Sequence, residues 1–147
     1  MTERAAPVSV RPADVSDAVR IAALLTDEGY PTGASDIEAR LGIFAAPGSH
    51  VLVADLGGEV LGFIALHAFP RFEQSGGIAR ILALVVDPGV RERGIGKLLL
   101  GEAERIGAES GAAFVEITAG HHRPEARIMY ESIGYDGTMT AYLRKRL

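Results

Sequence analysis

Val85-Val86-Asp87-Pro88-Gly89-Val90-Arg91-Glu92-Arg93-Gly94-Ile95-Gly96-Lys97 is the most informative stretch of the chain. Its apolar lead-in has the character of a strand, and Asp87-Pro88-Gly89 that of a turn. From Gly94 the pattern becomes an amphipathic helix, with Ile95, Leu98, Leu99, Ala103 and Ile106 on one face. A helix opening straight out of a glycine-rich turn offers unpaired backbone N–H groups and the positive end of its dipole. Gly94 and Gly96 carry no Cβ, so an anion's oxygen can approach the backbone closely. Arg91, Arg93 and Lys97 add positive charge here, although the 147-residue chain has a formal net charge of −4. That contrast points to a small polyanion. A tight strand-to-helix turn with solvated charges is the plainer alternative.

Spacing excludes two other phosphate loops. Gly89 and Gly94 are placed as in a Walker A loop, but Ile95 stands where lysine is required and Leu98 follows Lys97. A dinucleotide fingerprint needs a third glycine where Leu99 stands, and it needs an early βαβ unit that is lacking.

Around this loop the chain divides into short elements. Val8 to Arg11 reads as a strand and Val15 to Glu28 as a helix ending near Gly29. Ser35 and Glu38 have capping-box spacing, so a second helix is expected to run to about Ala45, before Pro47-Gly48. Residues 50–56 and 59–69 read as strands joined by Gly57-Gly58, a dipeptide suited to a two-residue hairpin turn. Ile78 to Val86 is a strand, Gly94 to Ala108 a helix and Ala113 to Thr118 another strand. Pro124 suits the first turn of a helix that stops at Gly134, and Met139 to Arg144 is expected to form a final strand. The expected order is βααβββαβαβ, a mixed α/β sheet in a single domain spanning 1–147.

Composition narrows the function. Apolar residues make up 48% and charged residues 23%, the balance of a soluble globular domain. The longest apolar run, Val60 to Leu66, is far short of the roughly 20 residues that span a bilayer. Met1 to Pro12 has no apolar signal region. No membrane association is expected. The absence of cysteine excludes disulfides, thiolate metal sites and a covalent cysteine intermediate, and is compatible with a cytoplasmic setting. The acidic balance argues against nucleic acid as a partner. His50 and His67 are isolated and His121 and His122 adjacent, without metal-ligand spacing, so no metal is expected.

A second motif lies downstream: Ala126-Arg127-Ile128-Met129-Tyr130-Glu131-Ser132-Ile133-Gly134-Tyr135. It is similar to A-x-x-x-Tyr-x-x-x-Gly-Phe/Tyr. Arg91-Glu92-Arg93-Gly94-Ile95-Gly96 in turn resembles Arg/Gln-x-x-Gly-x-Gly/Ala. Together, in this order, they resemble the signatures of the GCN5-related N-acetyltransferase (GNAT) superfamily, and the likeness in element order covers nearly the whole chain. The resemblance implies an α/β (α+β) fold with a central mixed, mostly antiparallel sheet. About four helices would flank it, and it would be splayed at its two central strands.

The resemblance also implies acetyl-CoA as cosubstrate, its pyrophosphate held by the loop amides of Arg91, Glu92, Arg93, Gly94, Ile95, Gly96 and Lys97. Leu84, Val85 and Val86 would lie on a locally bulged, splayed strand whose amides bind the pantetheine arm and polarise the acetyl carbonyl. An oxyanion forming on a thioester needs such fixed donors in a dry cleft. Tyr130 would protonate the departing thiolate, which suits a phenol of pKa near 10; the alternative is a tyrosine that merely packs its helix. Many relatives carry asparagine where this chain has Arg123.

No base is assigned. The positions that supply one in several relatives correspond to Arg80 and Leu82, neither of which can serve. Glu73, Glu116 and the histidines remain, each with a solvated or packing role as its alternative. The implied function is direct acetyl transfer in a ternary complex to a primary amine, on a small molecule or a peptide. A non-catalytic acyl-CoA-binding module is the alternative reading, and an α/β domain without a nucleotide ligand the plainest one. Homodimers are among the assemblies the resemblance implies.

Overall fold

In the computed structural model, residues 7–90, 93–119 and 124–147 are described. Five strands lie in the sequential order β1-β2-β3-β4-β5. They are β1 (Ser9–Pro12), β2 (Ser49–Leu56), β3 (Glu59–Pro70), β4 (Gly77–Val86) and β5 (Ala112–Ile117). The first four are antiparallel neighbours, whereas β5 runs parallel to β4. Four helices complete the fold: α1 (Ala18–Asp27), α2 (Ala34–Ile43), α3 (Ile95–Glu109) and α4 (Pro124–Ser132). The expected mixed, mostly antiparallel sheet flanked by four helices is therefore present.

Local chemistry sets the turns. Gly57 and Gly58 both have positive φ, 59° and 94°, which is what the two-residue β2–β3 turn requires and what side chains resist. The single parallel step needs a crossover, and α3 supplies it between β4 and β5. Two apolar layers follow from strand alternation. Leu52, Ile64, Leu66 and Ile81 face α3 and pack with Leu99, Leu100 and Ala103. Val53, Phe63 and Val85 face the other way and pack with Ile21, Leu24 and Ile37 of α1 and α2. Because β3 is covered on both sides, residues 60–66 read as a nearly unbroken apolar run.

Three expectations are corrected. The helix read over 15–28 is two pieces. Asp14 accepts from the Ser16 N–H at 2.8 Å and caps a 3₁₀ turn, Val15–Asp17, before α1 begins. Its partner in that turn, Asp17, is only 5% exposed because Arg11 grips both carboxylate oxygens at 2.9 Å. The second helix opens two residues earlier than its Ser35–Glu38 spacing implied, with Gly33 at its N-cap and Asp36 accepting from the Gly33 N–H at 2.8 Å. Finally, Met139 to Arg144 forms no strand. A strand needs a ladder partner and a face to bury; this segment has neither, and Met139 and Leu143 lie 78% and 90% exposed.

Candidate functional site

The two strands that part are β4 and β5. Their parallel ladder runs from Gly77↔Ala112 to Ile81↔Ile117, where β5 ends. Past Ile81, β4 continues to Val86 with β3 on one side and, among the described residues, no strand on the other. Between Leu82 and Val86, alternate residues turn their backbone groups to that open edge, where no ladder partner meets them among the described residues.

The bulge falls two residues before the expected stretch. Across β3, Ala65 pairs with Ala83 and Leu66 with Ile81, which leaves Leu82 as the extra residue. A bulge turns two consecutive side chains to one face; Leu82, 52% exposed, and Ala83 both point toward α1 and α2. Leu84, Val85 and Val86 are regularly paired with β3; backbone groups alternate between the two edges, so with Asp87 bonded to Leu61, those of Val85 face β3 and those of Leu84 and Val86 face the open edge. Leu84 and Val86 pack with the α3 layer, and Val85 with the α1–α2 layer.

At the end of β4, the Asp87 N–H donates to the Leu61 carbonyl at 2.8 Å, and its carboxylate accepts from the Gly89 N–H at 2.8 Å. The same carboxylate is ion-paired with Arg20, whose Nε also donates to the Val60 carbonyl at 2.9 Å. This tie fixes α1 to the mouth of the loop. Gly94 then caps α3 in the left-handed conformation, φ 78°, and, having no side chain, makes no side-chain cap to the first-turn N–H groups. A Cβ at Gly94 would meet open space, so the glycine is there for its backbone angle. Arg93 and Lys97 are exposed and have no carboxylate partner among the described residues. Ile95 is 4% exposed in the core, so only its backbone can serve a ligand. Arg91 and Glu92 lie outside the described residues, as do His121, His122 and Arg123.

Tyr130 sits on α4, half-buried against the α3 layer. A Cβ built at Gly96 would lie 3.9 Å from both the Met129 Cε and the Val86 Cγ2, so α4, the head of α3 and the end of β4 converge. The Tyr130 and Tyr135 rings are tilted at a centroid distance of 6.1 Å. Tyr135 is committed elsewhere: its hydroxyl donates to Glu104 at 3.0 Å, and burial, with Glu104 beside it, pushes its pKa well above the usual phenol value.

The α1–α2 face of the sheet carries polar groups that sequence reading did not assemble. Ser49 Oγ and His67 Nδ1 are 2.9 Å apart, and His67 stacks on Phe69 at 5.5 Å. Arg80 lies over the same Phe69 ring at 5.4 Å and holds Glu116 Oε2 at 2.6 Å. Glu116, a candidate base, is thus engaged by a guanidinium. Glu73 lies exposed in the β3–β4 loop. Period-2 spacing puts Ser49, His67, Arg80 and Glu116 on one face, but only the register, set by two bulges, makes them neighbours. Among the described residues no His, Asp or Glu cluster of metal-binding size occurs, and no described helix is long and apolar enough to cross a membrane.

Comparison with known proteins agrees with this geometry. The sequence profile described as "Acetyltransferase (GNAT) family" matches residues 17–135. An uncharacterized N-acetyltransferase of Bacillus subtilis, YhfO, is 32% identical over 137 residues, covering 88% of this chain and 90% of that protein. An aminoalkylphosphonate N-acetyltransferase of Salmonella typhimurium is 35% identical over 89 residues, 60% of this chain and 58% of that one. Among solved structures, an aminoglycoside N-acetyltransferase, AAC(6')-Iy, in complex with CoA superposes with a TM-score of 0.84. That match covers 100% of both chains at 18% identity, a likeness of fold.

Proposed function

The chain belongs to the GNAT acetyltransferase family, and on that footing we propose that it moves an acetyl group from acetyl-CoA to a primary amine by direct attack in a ternary complex. The observation that carries this reading is the meeting of an uncapped α3 N-terminus with the open edge of β4, beside the helix bearing Tyr130. A polyphosphate and a thioester arm need those two surfaces in that order.

The residues fit such a donor. N–H groups of Ile95, Gly96 and Lys97 would hold the pyrophosphate, with Arg93 and Lys97 adding charge and, from the motif, Arg91 and Glu92 adding their amides. Leu84 and Val86 would hold the arm through backbone groups on the open edge, with Val85 between them bonded to β3. Bound acetyl-CoA supplies the activated acyl carbon and a thiolate as leaving group. The N–H groups of the β4 edge would then stabilise negative charge on the acyl oxygen, and they are fixed in advance by the β3 ladder on the other side. The Tyr130 hydroxyl would donate its proton to the departing sulfur.

Glu116 Oε2 is engaged by the Arg80 guanidinium, so this carboxylate oxygen is directed at Arg80 rather than at an incoming amine. This observation favours the second reading, an acyl-CoA-binding module without turnover. The relative from Salmonella typhimurium is named for acetylating an amine, and a small-molecule or peptide amine is the acceptor proposed here. A homodimer and a cytoplasmic setting belong to the same proposal. The outer edge of β5 is an unpaired ladder that a second copy can extend, and a cysteine-free chain suits a reducing compartment.

Calorimetric titration with CoA and thiol release from acetyl-CoA over an amine panel test the proposal. Saturable binding with amine-dependent release is expected. Binding without release on any amine would select the module, and no binding would remove both readings.

A further inference from the structure

We infer that the acceptor is a small amine with an apolar body and a negatively charged group, the body seated between α2 and the sheet and the acid held by Arg40. The inference rests on the acetyl-transfer reading and specifies the substrate class of that site.

A cavity of about 230 Å³ opens on the α1–α2 face of β4. Leu41 and Phe44 form its helical wall, Phe63 its sheet wall, and Leu82 and Ala83 its floor. Those last two are the residues the bulge turns to one side, at the point where the open edge of β4 begins. An amine held here therefore borders the strand edge assigned to the acyl group, from the face opposite α3. The size is below the roughly 300–1,000 Å³ of cavities that take drug-sized ligands, so the occupant is compact.

Charge decides its chemistry. Among the described residues, Arg40 is the only charged one lining the cavity; it is exposed and has no carboxylate partner there. An acidic group on the acceptor supplies the missing partner, as a two-oxygen acid matches the guanidinium fork. No carboxylate lines this cavity to receive a polycation, and Glu116, on the same face of the sheet, is already paired with Arg80. A polyamine or an aminoglycoside would meet an apolar wall and a like charge. Carboxylate and phosphonate are the same chemistry to Arg40, and matched amine pairs tell them apart.

The test compares kcat/KM by thiol release for phenylalanine against phenethylamine and for 3-aminopropylphosphonate against propylamine, with kanamycin as the polycation. CoA titration runs alongside for every variant. At least one acid-bearing amine is expected to exceed its neutral partner about tenfold or more, a step typical of one charge-assisted bond. In Arg40→Ala that ratio should fall toward one through KM, with CoA affinity unchanged. Arg40→Glu should reverse the preference. A preference for the neutral amines or kanamycin, or an acid preference that survives Arg40→Ala, overturns the inference and leaves acetyl transfer standing. Absence of CoA binding in the wild type overturns both.

Discussion

Replacing Tyr130 by Phe removes one hydroxyl and leaves the ring against the α3 layer. If that hydroxyl protonates the leaving sulfur, kcat for a good acceptor drops about 10²-fold while CoA affinity holds. Unchanged turnover would return Tyr130 to a packing role. Tyr135→Phe is the control, because its hydroxyl already serves Glu104; turnover should be nearly unaffected. The helix that carries Tyr130 was legible in the sequence because its signal is local, a helix turn ending on glycine. Arg40 and the Ser49–His67 pair were not legible. Their roles depend on what stands opposite them, and no spacing along the chain encodes that.

The contact of α3 with β4 turns on Gly107. A Cβ there would lie 2.9 Å from the Ala79 Cβ, which is anchored to the strand. Gly107→Ala gains about 1 kcal/mol of helix propensity but overpacks a rigid interface at about 1–3 kcal/mol. A net loss of roughly 1 kcal/mol is expected from urea denaturation. Gly101→Ala, on the same helix with open space around it, should instead stabilise by about 0.5–1 kcal/mol. Elements with strong local signals were readable: the Gly57-Gly58 turn, the amphipathic α3 and its glycine start. The final strand was misread because alternation at residues 139–144 states what a strand would look like, not whether an edge is there to receive it. The bulge at Leu82 was misplaced for a related reason, since register belongs to two strands at once.

Arg11 joins three parts of the molecule, reaching Asp17 before α1 and Asp55 on β2 from its own place on β1. Arg11 holds the Asp17 carboxyl below the usual carboxylate range, against the opposing effect of its burial. A carboxyl lowered in the folded state contributes stability above its unfolded pKa of about 3.9, and that contribution disappears as pH falls through the lower folded value. Unfolding free energy should therefore decline below about pH 4, and Asp17→Asn should be less stable at pH 7 with a shallower acid decline. Urea melts at a series of pH values decide it; parallel curves for both proteins would count against the tie. Ligand linkage acts on the same whole. CoA at 100 times its Kd should add about 2.7 kcal/mol, or roughly 8 °C in Tm for a domain of this size. A flat melting curve with CoA would leave the α3 loop without its proposed anion.

β4 presents its two faces to different helical layers, with Leu84 and Val86 packed toward α3 and Ala83 and Val85 toward α1 and α2. Divergence among descendants of such a chain has two nearly independent targets. On the proposed reading, substitutions drifting through the first two helices would change which nitrogen compounds are admitted, while the other layer would keep the same acyl source. Duplication followed by change in one layer alone is then a short evolutionary path to a new specificity.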